Sequence, residues 1–336
     1  MGELREKFVE QLDAEINKAI LGPARELVQA CARESIQISS TGPDEYLEVG
    51  KSRFGGDPDL PADFEWPKHE SYEGGLKSSN FICQVNMAEL PKLHCDHRLP
   101  TQGILYLFVG YMESAAAPAF VDSYFLETVP DNLERRNSPP NDQLLDEYLI
   151  NLKPNKVSFS IGFDCDTHDR ELLKQIDAIC AGETGQDETP SQRFRSMCFE
   201  LPCSGSIGQM LGYANTADKS DNLRRQVALS LLKQRQYQFS DYWDSMEEYE
   251  ATVENWKTNE QLSKMYQQMR PGVEWLLKNK DEVANAANSL QHLIQIHSNR
   301  DMDMWINDAD PMYVFIDKDA LAAHDFSKLP CEVTQG

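Results

Sequence analysis

No apolar run in this 336-residue chain approaches the ~18 residues that a helix needs to cross a bilayer, so a helical membrane protein is not expected. The opening stretch "MGELREKFVEQLDAEINKAI" is charged along its length and lacks the apolar centre of a secretory signal. Gly2 follows Met1, yet Arg5 and Glu6 spoil the small Ser/Thr position of a myristoylation signal. Basic residues are scarce: 32 Lys and Arg against 55 Asp and Glu leave a net charge of −23. A field of that sign repels phosphate backbones and anionic headgroups, which argues against nucleic-acid and membrane-surface binding. It favours solubility and attracts cations or a basic protein partner. Cysteine pairs are missing too. The eight cysteines are irregularly spaced with no C-x-x-C, and without an export signal the expectation is reduced thiols in the cytoplasm.

Signatures of catalysis are equally sparse. No G-x-S-x-G nucleophile elbow and no G-x-G-x-x-G loop occurs. The glycines of "SRFGGDPDLPADFEWP" (52–67) resemble a phosphate loop only at first sight. Such a loop must open a helix, and Pro58, Pro61 and Pro67 forbid one. No Walker lysine follows, and Asp57, Asp59, Asp63 and Glu65 would repel phosphate. Gly55 and Gly56 are therefore read as turn-formers that allow close backbone approach, with Trp66 as a lid on the core. "DCDTHD" (164–169) starts like a calcium loop but has Asp169 in the glycine place and Gln175 in the bidentate place. "DMDMWINDAD" (301–310) fails likewise at Trp305 and Ile306. "HCDH" (94–97) crowds its side chains too closely to complete a zinc tetrahedron alone. No metal and no cofactor is expected.

What is present is enough apolar residue, 40%, to bury a sizeable core. Leu4, Phe8, Leu12, Ile16 and Ile20 form one helical stripe ended by Gly22-Pro23, and "PARELVQACAR" suits a second short helix. "SIQIS", "NFICQVNMAEL", "GILYLFVG", "AFVDSYFLE" and "KVSFSIGFD" read as strands, whereas "AGETGQDETPSQ" reads as loop. Residues 217–290 are helical in period, broken at Pro271-Gly272. Met246, Tyr249, Val253 and Trp256 share one face, expected to pack as core with Trp256 more buried than Glu254 and Lys257, a partner-binding face being the alternative.

An internal echo relates "FICQVNMAEL…GILYLFV" (81–109) to "HLIQIHSNRD…PMYVFIDKDAL" (292–321). Gln84 answers to Gln295 and Tyr106 to Tyr313, while upstream Gly55-Gly56 answers to Gly212-Tyr213. The fold expected is α+β: two similar β-rich halves from an internal duplication, with N-terminal helices and a helical insertion in the second half. The boundaries are 1–34 for the helices, 35–200 and 201–336 for the halves, and about 217–290 for the insertion.

"VGKSRFGGDPDLPADFEWP", "FICQVNMAEL" and "GILYLFVG" resemble the YwqG-like family of uncharacterised proteins, whose pattern S-[KR]-F-G-G-x-P-x-L-P-x-x-F-x-W-P they follow. "HLIQIHSNRDMDMWINDADPMYVFI" is similar to the family's closing segment, although Asn307-Asp308-Ala309-Asp310 departs from its glycine-aspartate-x-glycine turn. The resemblance implies two similar β-rich halves and no particular reaction. The proximity of some members to toxin genes implies an immunity or binding role by association.

Two readings follow. The first is a cytosolic binding, scaffold or immunity-type protein for a basic partner. The second is a hydrolase or metal-assisted enzyme with its site in a cleft between the halves. For a ligand cleft the candidates are Arg53, Trp66, Gln84, Gln295, Trp305 and Asp308. The competing expectation is that each glutamine bonds the backbone of its own loop, the "FGGDPDLP" turn in the case of Gln84.

Overall fold

The computed structural model describes residues 2–71, 74–93, 98–110, 120–127, 132–146, 149–167, 169–182, 188–200, 206–214, 223–240, 243, 245–306, 309 and 311–333. The chain divides into two compact units, Met1–Asp221 with Gln291–Gly336, and Asn222–Leu290. Helices α1 (Gly2–Lys18) and α2 (Arg25–Cys31) come first. Strands β1 (Arg33–Pro43), β2 (Arg53–Phe54), β3 (Asp59–Leu60), β4 (Lys68–Glu70), β5 (Leu76–Ser78) and β6 (Asn80–Asn86) follow. Next are β7 (Ile104–Val109), β8 (Val121–Leu126), β9 (Glu134–Arg135) and β10 (Asn155–Asp164). Helices α3 (Arg170–Ile179) and α4 (Pro190–Glu200) lead to β11 (Ser206–Leu211). The second unit carries α5 (Leu223–Leu231), α6 (Met246–Asn255), α7 (Glu260–Lys278) and α8 (Lys280–Ser289). The chain returns through β12 (Leu290–Ile296), β13 (Met312–Asp317), α9 (Lys318–Ala322) and β14 (Cys331–Val333).

The fold is thus α+β, built on a large antiparallel sheet of ten strands in the order β14-β13-β12-β11-β1-β10-β2-β6-β7-β8. The long pair β1–β10 occupies the middle, in register from Arg33 opposite Asp164 to Pro43 opposite Asn155. Strand periodicity explains how the sheet buries both faces. Along "ILYLFV" of β7, Leu105, Leu107 and Val109 enter the main core, while Ile104, Tyr106 and Phe108 enter a second cluster with Leu60, Phe81 and Leu133. Each such fully buried Leu or Phe contributes about 1.5–3 kcal/mol. A third cluster joins Leu12 and Ile16 of α1, Val28 of α2, Ile176 of α3 and Phe194 of α4 to Phe163 at the end of β10. The β8 edge meets the segment after α9: the Phe125 ring lies 4.8 Å from that of Phe326, tilted by 50°, and the Ser123 hydroxyl donates to the Phe326 carbonyl.

A bulge in β6 between Phe81 and Cys83 interrupts strict alternation, so Ile82 and Cys83 both face the main core. Ile82 consequently does not share a face with Gln84, as uninterrupted period two would have required. In β12, Leu293 and Ile294 likewise both enter the main core.

In the second unit the expected break at Pro271-Gly272 does not occur. α7 runs through Pro271. An interior proline costs a helix about 3 kcal/mol, which burial of Val273 and Leu276 just beyond it, at about 1.5–3 kcal/mol each, offsets. The break comes earlier, where the Asn259 side chain accepts from the Leu262 amide at 3.1 Å and starts α7 afresh. α6 accordingly ends at Asn255, and Trp256 stands 45% exposed, less than the Lys257 and Glu254 side chains at 61% and 67%. Tyr249 holds the buried end of that stripe, its hydroxyl donating to the Tyr266 carbonyl at 2.7 Å. Among the described residues no helix is long and apolar enough to cross a membrane.

Candidate functional site

β2 lies antiparallel to β6, with Arg53 opposite Gln84. Gly55 and Gly56 then carry the chain away in the left-handed region, both at φ 68°. Only glycine fits: a Cβ on Gly55 would stand 2.5 Å from the Lys153 carbonyl oxygen, and one on Gly56 would stand 2.2 Å from the Tyr46 hydroxyl. This turn sends Asp57 and Asp59 back over Arg53. The Arg53 side chain is wholly buried, with Nε 2.9 Å from Asp44 Oδ2 and Nη2 3.2 Å from Asp59 Oδ2. Its remaining donors reach the carbonyls of Asp57 (3.1 Å) and Glu48 (3.2 Å). The Nε hydrogen is not aimed at Asp44, so that contact is Coulombic rather than a directed hydrogen bond.

Asp59 is the hub. Its Oδ1 accepts from Arg135 Nε at 2.6 Å. Its Oδ2 accepts from the Gly50 amide at 2.8 Å and from Gln84 Nε2 at 3.0 Å. Its own amide donates to Gln84 Oε1 at 2.8 Å, and its carbonyl accepts from the Tyr106 hydroxyl at 2.6 Å. Gln84 Nε2 also donates to the Lys51 carbonyl at 2.6 Å. The amide of Gln84 is thus spent on its own loop. Tyr46 lies beneath both guanidinium groups, Arg53 at 5.0 Å and Arg135 at 4.0 Å from the ring centre. Two cations and two carboxylates form a closed, electrically balanced cluster. Burial raises the Tyr106 and Tyr46 phenols above their ordinary range, so both stay protonated.

β11 runs beside β12 with Gln209 opposite Gln295, four strands away from β6 in sheet order. Here the strand ends on Leu211 at φ 60° and Gly212 follows at φ 68°. These two residues, one place earlier than the Gly212-Tyr213 suggested by the sequence, stand where Gly55-Gly56 stand relative to Arg53. Gln209 Nε2 donates to Asp164 Oδ2 (2.9 Å) and the Leu211 carbonyl (3.1 Å), while its oxygen accepts from Gln37 Nε2 (2.7 Å). Asp164 Oδ2 also takes the Tyr213 amide at 2.7 Å. Gln295 Nε2 lies 2.8 Å from His297 Nε2. Burial pulls the His297 pKa down against a hydrogen bond to the Ser206 backbone. Neutral His297 therefore donates to Ser206 and accepts from Gln295.

Of the cleft candidates, Arg53 and Gln84 meet at Asp59. Trp66 stacks edge-on 5.3 Å from Phe108 and donates to the Ser79 carbonyl at 2.7 Å, capping the cluster that holds Tyr106. Gln295 lies on the far flank, and Trp305 is 41% exposed with the Arg300 guanidinium 6.0 Å from its ring. Asp308 lies outside the described residues, as does "HCDH". Among the described residues no group of three or more His, Cys, Asp or Glu side chains could hold a metal ion. Sequence reasoning passed over Asp44, Tyr46, Arg135 and Gln209, and weighed Asp164 only as a calcium ligand. It also took Asp59 as a repulsive charge; the available signal was Arg53, the one basic residue of "SRFGGDPD", ahead of Asp57 and Asp59.

A family model described as a domain of unknown function (DUF1963) matches residues 52–334. No curated protein matches the chain.

Proposed function

The chain belongs to the DUF1963 family, a domain of unknown function, and from that premise we propose that it is a non-catalytic binding or scaffold protein of the cytosol, of the immunity type, for a basic protein partner. The observation that carries this reading is the closure of the Arg53–Asp59 cluster. Arg53 and Asp59 of the longest motif face one another, and neither has exposed surface with which to meet a substrate. Burial also pushes the Cys83 thiol up, away from nucleophilic use. The net charge of −23 supplies the attraction for a basic partner. A cytosolic setting agrees with the six described cysteines being free. Thiol titration of denatured, unreduced protein is expected to find all eight; two or more missing would refute reduced cysteines.

An internal duplication is part of the reading. Its supports are the mirrored strand order about β1–β10, the matched pairs Arg53/Gln84 and Gln209/Gln295, and the two left-handed residues after each. Ring packing agrees: Phe81 meets Phe108 edge-on at 5.6 Å, and His292 meets Phe315 edge-on at 5.8 Å. In an experimental structure, residues 80–109 and 291–316 should superpose by a rotation near a half-turn; dissimilar paths would remove the duplication.

The test of function is purification of the tagged full chain from its native cells at low ionic strength. One basic protein in stoichiometric amount, released as salt screens the contact, is expected. Turnover of a hydrolysable ester, amide or phosphate panel by the chain alone would overturn the reading.

A further inference from the structure

The two units of the chain carry unequal charge. Residues 222–290 hold nine Lys and Arg against ten Asp and Glu, so almost all of the net −23 lies on the first unit. A basic partner is drawn there, and a stable contact also needs an apolar anchor. Leu47 is the most exposed large hydrophobic residue among those described, at 75%, and Val49, two places on, is 56% exposed. Elsewhere among the described residues such side chains are scattered singly along the chain, which is ordinary for a protein surface.

Leu47 and Val49 lie between β1 and β2, on a segment whose backbone the Arg53 cluster holds in place. The Asp44 amide donates to the Pro154 carbonyl at 2.9 Å, and Asp44 Oδ1 accepts from the Tyr46 amide at 2.8 Å. The Tyr46 hydroxyl accepts from the Asp57 amide at 2.9 Å, with its ring against Arg53 and Arg135. The Glu48 carbonyl accepts from Arg53, the Gly50 amide donates to Asp59, and the Gly50 carbonyl accepts from Asn86 Nδ2 at 2.8 Å. Tyr46 sits in the left-handed region at φ 59°, a conformation that a bulky residue keeps only where its surroundings fix it. The polar groups of the segment are thus spent on the cluster, while its two aliphatic side chains stand in water. A loop already ordered loses little entropy when a partner docks on it.

We propose that Leu47 and Val49 are the anchor on which a protein partner docks, through a segment with an apolar side chain flanked by Lys or Arg. The proposal rests on the binding reading and gives it a place. Asp44 is balanced by Arg53, and Lys51 pairs with Glu89 at 3.2 Å, so the field at the loop comes from the exposed Glu45 and Glu48. Carboxylates before and after Leu47 select a cation beside the apolar group. A second copy of the chain docking here by a two-fold contact would bring the same carboxylates together, and anionic headgroups would be repelled. The closed Arg53 cluster acquires a task in this arrangement: it presents the loop.

The test is fluorescence anisotropy of the full chain with three short labelled peptides at low ionic strength, one alternating Lys and Leu, one Lys and Ser, one Glu and Leu. The Lys–Leu peptide is expected to bind most tightly. The double variant Leu47→Ser/Val49→Ser should weaken it at least about tenfold. Glu45→Gln/Glu48→Gln should weaken it too and flatten its salt dependence. Trp256→Ser/Met265→Ser, at exposed positions of the second unit, should bind as the wild type does. All these side chains are exposed, so thermal melts should coincide, and the Glu45/Glu48 pair probes the loop without touching its apolar residues. Undiminished Lys–Leu binding in the Leu47/Val49 variant, or an equal loss in the Trp256/Met265 variant, would overturn the docking site and leave the basic-partner reading standing. If neither Lys peptide is preferred to the Glu–Leu peptide, both fall.

Discussion

The two flanks of the sheet solve one backbone problem with different chemistry. On the β2 flank the strand is followed by two left-handed glycines, and the returning loop is held by charge, Arg53 between Asp44 and Asp59. On the β11 flank the corresponding turn is Leu211-Gly212, and amides do the holding, Gln209 to Asp164 and Gln37. Charge is the more demanding choice. A buried ion pair roughly repays its desolvation when intact, but removing one partner strands the other. An amide that loses its partner forfeits less. The flank with the long, specific motif is therefore the one where a single change does most harm. The flank with "GQMLG" has the more forgiving chemistry.

The largest expected effect is that of Arg53→Met, which leaves Asp44 buried without its cation and Asp59 with Arg135 alone, and should cost about 3–5 kcal/mol. Gln209→Met should cost about 1–3 kcal/mol, because Asp164 keeps the Tyr213 amide. Urea unfolding of both variants measures the difference, and equal losses would erase the distinction between the flanks.

Next come the glycines. Gly56→Ala would push a Cβ to 2.2 Å from the Tyr46 hydroxyl and 2.6 Å from Pro154 Cβ. Crowding of about 1–3 kcal/mol then adds to about 1–2 kcal/mol of left-handed strain. Gly212→Ala meets its nearest atom at 2.9 Å, the end of the Gln209 side chain, and should suffer mainly the strain. A reversed order in thermal melts would show that Tyr46 yields easily.

The smallest effect concerns pH. Two residues beyond Gln84 the first flank has Asn86, which does not titrate; two beyond Gln295 the second has His297. Burial lowers the folded pKa of His297 below its ordinary 6.5. Unfolded chains then bind more protons as the medium is acidified. This contribution is fully present above 6.5 and is lost as pH falls towards the folded value, at no more than about 1.4 kcal/mol per pH unit. His297→Gln should flatten the stability curve between about pH 7 and 5. An unaltered slope would mean that His297 binds its proton equally well folded and unfolded.

Much of the β2 flank was legible in the sequence because apolar runs there are uninterrupted. "FICQVN" and "ILYLFV" announce β6 and β7, and the proline-rich stretch after Gly55-Gly56 announces a loop. β11 was not legible as a strand, since Gly208 and Gln209 interrupt its apolar pattern and its pairing with β1 lies 172 positions away at Gln37. Helix α3 was hidden by its cap. Asp169, weighed only as a failed calcium ligand, accepts from the amides of Glu171 and Leu172 at 3.0 Å each. Helix α4 begins with a reciprocal cap in "TPSQ": the Thr189 amide donates to the Gln192 side chain at 2.8 Å, and the Gln192 amide donates to the Thr189 hydroxyl at 3.2 Å. Both signals were present in stretches rich in loop-forming residues. The Arg53 cluster escaped because Arg135 reaches Asp59 from 76 positions on, a distance that local pattern does not span.

The contact between β8 and Phe326 joins residues 203 positions apart, and it sets an order of events in folding. During synthesis β6, β7 and β8 leave the ribosome long before the segment that will cover them, so β8 spends that interval as a bare edge with open hydrogen-bonding groups. Phe326 emerges only after β8 and then packs on Phe125. Contacts of such separation make folding slow, since the chain entropy is lost before the contact rewards it. Nascent chains stopped short of Phe326 will accordingly be the ones that associate edge to edge.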